Sequence, residues 1–193
     1  RTFDFGREVA VMAVINRTPD SFFDKGATFA LDKAVAAALQ AAKDGADWVD
    51  IGGVPFGRGP VVTPEEELER VVPVVAAISA QSDVVISVDT FSAAVASAAI
   101  EAGASVINDT SGLFDPGMTA AIAATEATLV LTHSMSPPRA EPVRPEYVDV
   151  VDEVIAFLRD RIEQALGAGI PKERIVVDPG HDLNKNTFHS LEL

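Results

Sequence analysis

The sequence predicts an α/β fold of the (β/α)8 TIM-barrel class, of which the chain covers about the first six βα units. Six short apolar runs alternate with five Ala-rich stretches that have helical spacing. The apolar runs lack period-two alternation, as expected for parallel strands that are buried on both faces. Each run ends at or just before a polar residue. Together these observations favour one parallel sheet with polar groups along one edge.

Each element has its own signal in the sequence. The strands are the β-branched runs Val9–Ile15, Trp48–Ile51, Val84–Val88, Ser105–Ile107, Thr128–Leu131 and Arg174–Val177. The helices are Leu31–Asp44, Thr63–Ala80, Ser92–Ala102, Asp115–Ala124 and Val148–Leu166. In the second helix Thr63, Pro64 and Glu66 have the spacing of a capping box with proline at the first helical position, and Pro73 predicts a bend.

The polar strand ends discriminate between an open doubly wound sheet and a barrel. They are Asn16, Asp50, Asp89, Asn108 with Asp109, His133 and Asp178. In a barrel all of these positions ring one mouth, whereas in an open sheet only those near the switch point would meet. No G-x-G-x-x-G follows the first strand, so a dinucleotide-binding sheet lacks its usual motif. The barrel is therefore favoured, as a single domain over residues 1–193 that lacks the last two βα units.

Composition excludes several classes of protein. The net charge of −14 and the lack of a basic stripe argue against a nucleic-acid binder. The absence of Cys removes disulfides and thiolate metal sites. No apolar run approaches the ~20 residues of a membrane span, and Arg1–Glu8 is too polar for a secretory signal. These features predict a cytoplasmic protein.

Taken singly, each polar strand end has a structural alternative. An acid there can cap the next helix, and Asp178 in Asp178-Pro179-Gly180 can simply form a turn. His133 is better explained as a hydrogen-bonded structural residue than as a base. Arg58, Arg139 and Arg144 lie on long loops, where we expect solvated side chains, one of which could reach a phosphate.

Five motifs in register together resemble dihydropteroate synthase, from near Val9 to near Lys185. The family's N-x-T-P-D-S-F, D-I-G-G, S-V-D-T, I-N-D-x-S-G and D-P-G-x-x-x-x-K correspond to Asn16–Phe22, Asp50–Gly53, Ser87–Thr90, Ile107–Gly112 and Asp178–Lys185. Each motif alone is weak, but five in order at the ends of strands 1, 2, 3, 4 and 6 identify a family member.

The resemblance implies a reaction and a pterin pocket. The family joins 6-hydroxymethyl-7,8-dihydropterin diphosphate to 4-aminobenzoate in folate biosynthesis and releases diphosphate. By this similarity Asp89, Asn108 and Asp178 would bind the amino, ring N–H and carbonyl groups of the pterin, and Lys185 would also contact this substrate. Leaving such buried polar groups unpaired is costly, which makes them selective for a matching ring.

The resemblance also implies a Mg²⁺ site, two catalytic residues and a homodimer. Asn16 would lie beside Mg²⁺ on the diphosphate, since this cation keeps several waters and needs few protein oxygens. Asp20 would stabilise the cationic pterin methylene left when diphosphate departs, and Asp89 is the second catalytic candidate. A homodimer is the expected assembly.

The chain departs from the family in the loop after the second strand. Family members read D-I-G-G-E-S-T-R-P-G, whereas here Val54, Pro55 and Phe56 replace the acid, Ser and Thr, and Arg58 is displaced by one position. The hydroxyl contacts of that loop with aminobenzoate therefore cannot be carried over. Thr132 replaces a common Met, and Asp182-Leu183-Asn184-Lys185 replaces G-F-G-K.

Three hypotheses follow from these patterns. The first is a dihydropteroate synthase-like transferase. The second is a divergent homologue that binds a pterin without synthase activity, which the altered loop motivates. The third is a pterin-binding methyltransferase domain. The Asn16–Phe22 loop argues against this last one, because a methyl-carrying folate has no diphosphate to bind.

Overall fold

The computed structural model describes residues 3–16, 26–141 and 144–193, with side chains of the first helix described from Leu31 onward. The strands are β1 (Met12–Asn16), β2 (Trp48–Gly52), β3 (Val85–Asp89), β4 (Val106–Asp109), β5 (Thr128–Thr132) and β6 (Ile175–Asp178). The helices are α1 (Gly26–Lys43), α2 (Pro64–Ser79), α3 (Ala93–Glu101), α4 (Met118–Ala123), α5 (Val150–Gly167) and α6 (Thr187–Glu192). Within the described residues no helix is long and apolar enough to cross a membrane.

The six strands form one parallel sheet in the order β1-β2-β3-β4-β5-β6. Each strand pairs with the next one in the chain, with a helix between them. A doubly wound sheet would reverse its strand order at a switch point, and this sheet does not. The order is that of consecutive strands in a barrel, which confirms the prediction of the (β/α)8 class over six units.

The main core lies between the sheet and its helices. Alternate strand residues, among them Ile51, Val88, Ile107 and Leu131, are fully buried on this face. They pack in one cluster with residues of α2 and α3, including Val71, Ile78 and Ala99. Because side chains alternate along a strand, the residues between them point to the opposite face.

The opposite face carries the polar groups in layers. On this face Trp48, Val106 and Val130 form a separate apolar cluster with Phe3 beside it. On β2 and β3 a buried polar pair, Asp50 and Ser87, precedes the last pair, Gly52 and Asp89. On these two strands the last row therefore lies over polar groups, whereas Asn108 on β4 follows the apolar Val106.

The strand boundaries differ from prediction at the ends that matter for function. Asn16, Asp89, Asp109, Thr132 and Asp178 are the last residues of their strands, not the first residues of the loops. Hydrogen bonding within the ladder therefore fixes their backbone. The short helix α6 was not predicted.

Two predicted helix features can be compared with the structure. The capping box of α2 is confirmed, since Thr63 Oγ1 accepts from Glu66 N at 3.2 Å and Glu66 Oε2 accepts from Thr63 N at 3.0 Å. Pro73 lies inside α2, which continues as one helix to Ser79. The predicted bend therefore does not divide the element.

The start of α3 is capped from a distant position. Ser92 occupies the N-cap position but makes no side-chain cap bond. Instead Asp115 Oδ2 accepts from Ala93 N at 2.8 Å, while Asp115 Oδ1 accepts from Gly117 N at 2.8 Å. One carboxylate thus holds the start of α3 and the turn that leads into α4.

We expect Asp115→Ala to lower the free energy of unfolding by about 1–2 kcal/mol, the usual cost of a lost helix cap. The matched control is Ser92→Ala, which removes a hydroxyl that caps nothing and should change stability by less than about 0.5 kcal/mol. Urea unfolding followed by circular dichroism measures both. Equal losses in the two variants would contradict the assignment of the cap to Asp115.

Candidate active site

Three of the predicted site residues lie in one row across the sheet. Asn16 is the Cα partner of Gly52, Gly52 of Asp89, and Asp89 of Asn108. Residues in register on parallel strands point to the same face, so the three polar side chains share one side of the sheet. The row stands at the carboxyl ends of β1 to β4, where barrel enzymes build their sites.

Gly52 brings Asn16 and Asp89 close to each other. A Cβ on Gly52 would lie 3.2 Å from Asn16 Oδ1 and 3.8 Å from Asp89 Oδ2. Any side chain at this position would therefore stand between the amide oxygen and the carboxylate. The glycine leaves a gap bordered by two oxygens, which suits a hard cation or an N–H donor.

Asp89 is held partly uncharged in the ligand-free protein. Burial, the nearby Asp50 carboxyl, Glu67 and Asp109 raise its pKa from 3.8 to about 8, although a hydrogen bond from Thr110 opposes the rise. Thr110 Oγ1 donates that bond to Asp89 Oδ1 at 3.1 Å. A ligand that offers N–H donors to Asp89 would favour the ionised form and so replace this proton.

Asp50 supports Asn108 from the layer below. Asn108 Nδ2 donates to Asp50 Oδ2 at 3.3 Å, and both side chains are buried. Burial raises the pKa of Asp50, while Ser87 and Asn108 lower it. Since one amide N–H points down to Asp50, the carbonyl oxygen and second N–H of Asn108 are directed elsewhere, in an orientation suited to a ring edge that carries both donors and acceptors.

Glu67 is a further buried acid that sequence reasoning did not single out. It projects from α2, is 3% exposed, and its pKa is raised by burial while Thr90 and Arg70 oppose the rise. Only its place in the first turns of an amphipathic helix was visible in the sequence, where acids are common for other reasons. Together Asp50, Glu67 and Asp89 make this end of the sheet strongly acidic.

Asp109 does not belong to the same face as Asn108. Its carboxylate accepts from Ser111 N at 2.9 Å and from Leu113 N at 3.0 Å, and it also bonds the Ser111 hydroxyl. It is fully buried and stabilises the turn after β4. The adjacent Asn and Asp therefore do not form a paired recognition group, because consecutive strand residues face opposite sides.

His133, which directly follows β5, and Lys185, in the loop after β6, contact each other through their side chains. Lys185 Nζ lies 2.9 Å from His133 Nδ1 and donates to Gly180 O at 2.9 Å and Leu183 O at 3.0 Å. Burial and Lys185 lower the pKa of His133 to about 4, and burial lowers the pKa of Lys185 to about 8. His133 also packs edge-on against Phe157, with centroids 4.8 Å apart. These contacts agree with a structural His133.

Asp178 combines a turn with a position at the mouth. Its Oδ1 accepts from Gly180 N at 2.7 Å, and it is the Cα partner of Thr132 at the end of β5. Gly180 has φ +66°, and a Cβ there would lie 2.4 Å from His133 O. The turn thus requires glycine, and it brings the loop that contains Lys185 against β5.

The loop after β2 is held by arginines, contrary to the expectation that these side chains are solvated. Arg70 donates to Gly53 O at 3.0 Å, and Arg139 donates to Pro55 O at 2.5 Å, Pro60 O at 2.7 Å and also Gly57 O. Arg58 forms an ion pair with Glu141. The expectation was wrong for Arg139, because long-range contacts to backbone carbonyls leave no local signal.

The remaining predictions concern Asp20 and the metal. Asp20 and most of the Asn16–Phe22 loop lie outside the described residues. Among the residues described, no group of three or more His, Asp or Glu side chains could hold a metal ion. Asn16 and Asp89 across Gly52 still offer two oxygens, which is enough for a cation that keeps its waters and binds substrate phosphates.

Comparison with known proteins agrees with this geometry. The profile of the family described as "Pterin binding enzyme" matches residues 12–193. The chain is 45% identical over 194 residues to "Inactive dihydropteroate synthase 2" of Mycobacterium tuberculosis, covering 97% of this chain and 61% of that protein. It is 39% identical over 186 residues to dihydropteroate synthase of Streptococcus pyogenes, covering 95% of this chain and 67% of that protein.

Solved structures give the same result. Xanthomonas albilineans dihydropteroate synthase with 4-aminobenzoic acid superposes with a TM-score of 0.88 at 42% identity, covering 97% of this chain and 67% of the other. The same enzyme in complex with 7,8-dihydropteroate gives a TM-score of 0.84 at 42% identity, covering 97% and 66%.

The chain belongs to the pterin-binding enzyme family, on its dihydropteroate synthase branch. Its relatives on that branch include proteins named as synthases and proteins named as inactive. The chain spans 61% of the length of the Mycobacterium bovis and Mycobacterium tuberculosis relatives and 68% of that of the Mycobacterium leprae relative.

We expect Asp89→Asn to stabilise the protein, increasingly so as pH rises. The carboxyl of Asp89 has a pKa of about 8 in the fold against an ordinary value of 3.8, so the folded state holds a proton that the unfolded chain releases. Wild-type stability should therefore fall as pH rises from about 4 through about 8. The variant has no such proton, and its thermal midpoint should exceed that of the wild type by several degrees at pH 8.

Thermal scans of both proteins at pH 4, 6 and 8 measure this difference. Asp83→Asn is the matched control, since Asp83 is exposed at the other end of β3. A constant offset between Asp89→Asn and wild type at all three pH values would contradict the raised pKa.

Proposed function

We propose that the protein is a dihydropteroate synthase-type transferase that joins 6-hydroxymethyl-7,8-dihydropterin diphosphate to 4-aminobenzoate. The observation that carries the proposal is the row Asn16–Gly52–Asp89–Asn108, which places an amide oxygen, a desolvated carboxyl and a second amide on one face at the strand ends. Family membership supplies the substrates, and the row supplies matching chemistry.

The acidic end of the sheet suits the pterin. A pterin presents amino and ring N–H donors beside a carbonyl. Asp89 with Asn108 offers acceptors for those donors and an amide N–H donor for the carbonyl. Below them Asp50 Oδ1 is buried without a hydrogen-bond partner. Binding of a donor-rich ring would satisfy groups that are otherwise desolvated and unpaired, so the affinity should depend strongly on these side chains.

The diphosphate end would lie at Asn16. Asn16 Oδ1 borders the gap at Gly52 and would hold Mg²⁺ together with diphosphate oxygens and waters, while Asp89 on the other side of the gap would bind the pterin. When bound, the cation would neutralise charge on the leaving diphosphate. The C–O bond to diphosphate breaks, the aminobenzoate nitrogen bonds to the pterin methylene carbon, and that nitrogen loses one proton. Asp20 is proposed to stabilise the positive charge on the methylene.

The contacts of Lys185 support a role in ordering the loop after β6 more directly than they support substrate binding. Its Nζ has three partners, His133 Nδ1 and the carbonyls of Gly180 and Leu183. An ammonium has three N–H donors, so contact with substrate would require the exchange of one of these bonds. We propose that Lys185 mainly orders the loop beside Asp178 and binds substrate through such an exchange.

The second candidate is a homologue that binds the pterin without synthase activity. Two observations favour it: the mycobacterial relatives are named inactive, and the loop after β2 lacks the family's acid, Ser and Thr. Under this proposal the pterin half of the site persists while the acceptor half does not. The homodimer and the cytoplasmic location remain predictions from the sequence.

We expect the intact protein to bind pterin diphosphate with micromolar affinity only when Mg²⁺ is present. Asp89→Ala should weaken binding at least about a hundredfold, as expected for loss of a buried charged acceptor. Asn16→Ala should reduce the Mg²⁺ dependence while binding of a pterin without diphosphate is preserved. Asp83→Ala, an exposed acid far from the mouth, should have no effect. Isothermal titration calorimetry measures all three variants.

Turnover separates the two candidates. Release of diphosphate on addition of 4-aminobenzoate supports the transferase, whereas pterin binding without turnover supports the second candidate. An intact, folded protein that binds no pterin would exclude both.

A further inference from the structure

The loop 53–60 has an unusual backbone that is held from outside. Its sequence, Gly-Val-Pro-Phe-Gly-Arg-Gly-Pro, contains three glycines and two prolines, so local preferences do not fix one conformation. No backbone hydrogen bond joins two residues of this loop among the described contacts. Five of its eight carbonyl groups accept hydrogen bonds from other parts of the chain.

One arginine of the β5–α5 loop satisfies most of these carbonyls. The guanidinium of Arg139 bonds the carbonyls of Pro55, Gly57 and Pro60, and its backbone N–H donates to Phe56 O at 3.0 Å. The planar fork of an arginine carries five N–H donors spread over three nitrogens, so it can bond carbonyls that lie farther apart than the single ammonium of a lysine can span. Arg139 itself adopts φ +65°, a left-handed conformation that directs the residue into this position.

Further contacts hold both sides of the same loop. Arg70 on α2 donates to Gly53 O at 3.0 Å, where the loop leaves β2. At its far side Arg58 pairs with Glu141, two residues beyond Arg139. The carbonyls of five of the eight loop residues thus accept bonds from Arg70 or Arg139. We call this set of contacts the arginine clamp.

The clamp occupies five of the eight backbone carbonyls that the loop could offer to a ligand. The loop has no side-chain hydroxyl or carboxylate, and its one charged side chain, Arg58, is paired. Val54 is buried in the core, so the apolar side chains that the loop brings to its surface include exposed Pro55 and half-buried Phe56. A molecule that meets this loop therefore meets apolar groups on a fixed backbone.

We propose that Arg139 is a positioning residue for the second substrate: by holding loop 53–60 it presents an apolar wall that accepts an aromatic amine through ring contact. This inference rests on the proposed function, because it concerns the acceptor half of that site. The pterin half lies at the ends of β1, β3, β4 and β6, and no described hydrogen bond joins Arg139 to its residues. The two halves should therefore respond differently to loss of the clamp.

The first test uses trypsin, because Arg58–Gly59 is a cleavable bond inside the loop. The wild-type protein should resist cleavage there, and Arg139→Met should be cut at least about tenfold faster, with Arg139→Lys between them. Arg144→Met is the matched control, since it removes one exposed positive charge from the same long loop. Mass spectrometry of the fragments identifies the bond, and circular dichroism checks that each variant folds.

The second test measures the two substrates separately on the full-length protein. Arg139→Met should raise the KM for 4-aminobenzoate about tenfold, or its Kd in the presence of pterin diphosphate and Mg²⁺ if there is no turnover. The affinity for pterin diphosphate should stay within about twofold of the wild type. Arg139→Lys should restore part of the loss, and Arg144→Met should change neither value.

Several outcomes would overturn the inference. Equal cleavage of Arg139→Met and Arg144→Met would show that no clamp exists. Faster cleavage with an unchanged constant for 4-aminobenzoate, or absence of 4-aminobenzoate binding in the wild type, would remove the role in acceptor binding. Failure to bind pterin diphosphate would instead reject the proposed function, and the cleavage result would still establish or reject the clamp.

Discussion

The site depends on the desolvation of carboxyl groups at one end of the sheet. Asp50, Glu67 and Asp89 are brought together by β2, β3 and α2, and burial raises the pKa of each. This arrangement is unfavourable for the protein alone, since each ionised form lacks water and repels the others. It becomes favourable when N–H donors of a ligand enter. Under the proposed function, the same groups that weaken the empty fold would generate selectivity for a donor-rich ring.

Much of the fold was predictable from local patterns. The alternation of apolar runs and Ala-rich stretches predicted six strands and the intervening helices, and the polar strand ends predicted the barrel order. The capping box at Thr63 and Glu66 was also predictable, because both partners lie within one helical turn. Contacts between residues that are close in sequence can be predicted from residue types and spacing. The carboxyl ends of the strands shifted by one or two residues, because the ladder extends to include the polar ends, while β1 began three residues later and α1 five residues earlier than predicted.

The site was only partly predictable, and for a physical reason. The motif positions Asn16, Asp89 and Asn108 do share a row, yet the orientation of Asn108 depends on Asp50, 58 residues away. Asp109, adjacent to Asn108, belongs to the turn on the other face. Arg139 reaches a loop about 80 residues away, and no spacing rule marks such a contact. The chemical role of a site residue could be assigned from its type, but its hydrogen-bond partners could be identified only from the fold.

The cap of α3 has a consequence for how the chain folds. Asp115 lies 22 residues beyond the N–H group of Ala93 that it accepts, on the far side of β4. Helix α3 is only nine residues long, which is too short to be stable in isolation. Its N-terminus is therefore completed only after β4 has paired and the turn before α4 has formed. Neighbouring βα units are in this way cooperative, and a nascent chain released before residue 115 would carry a frayed third unit.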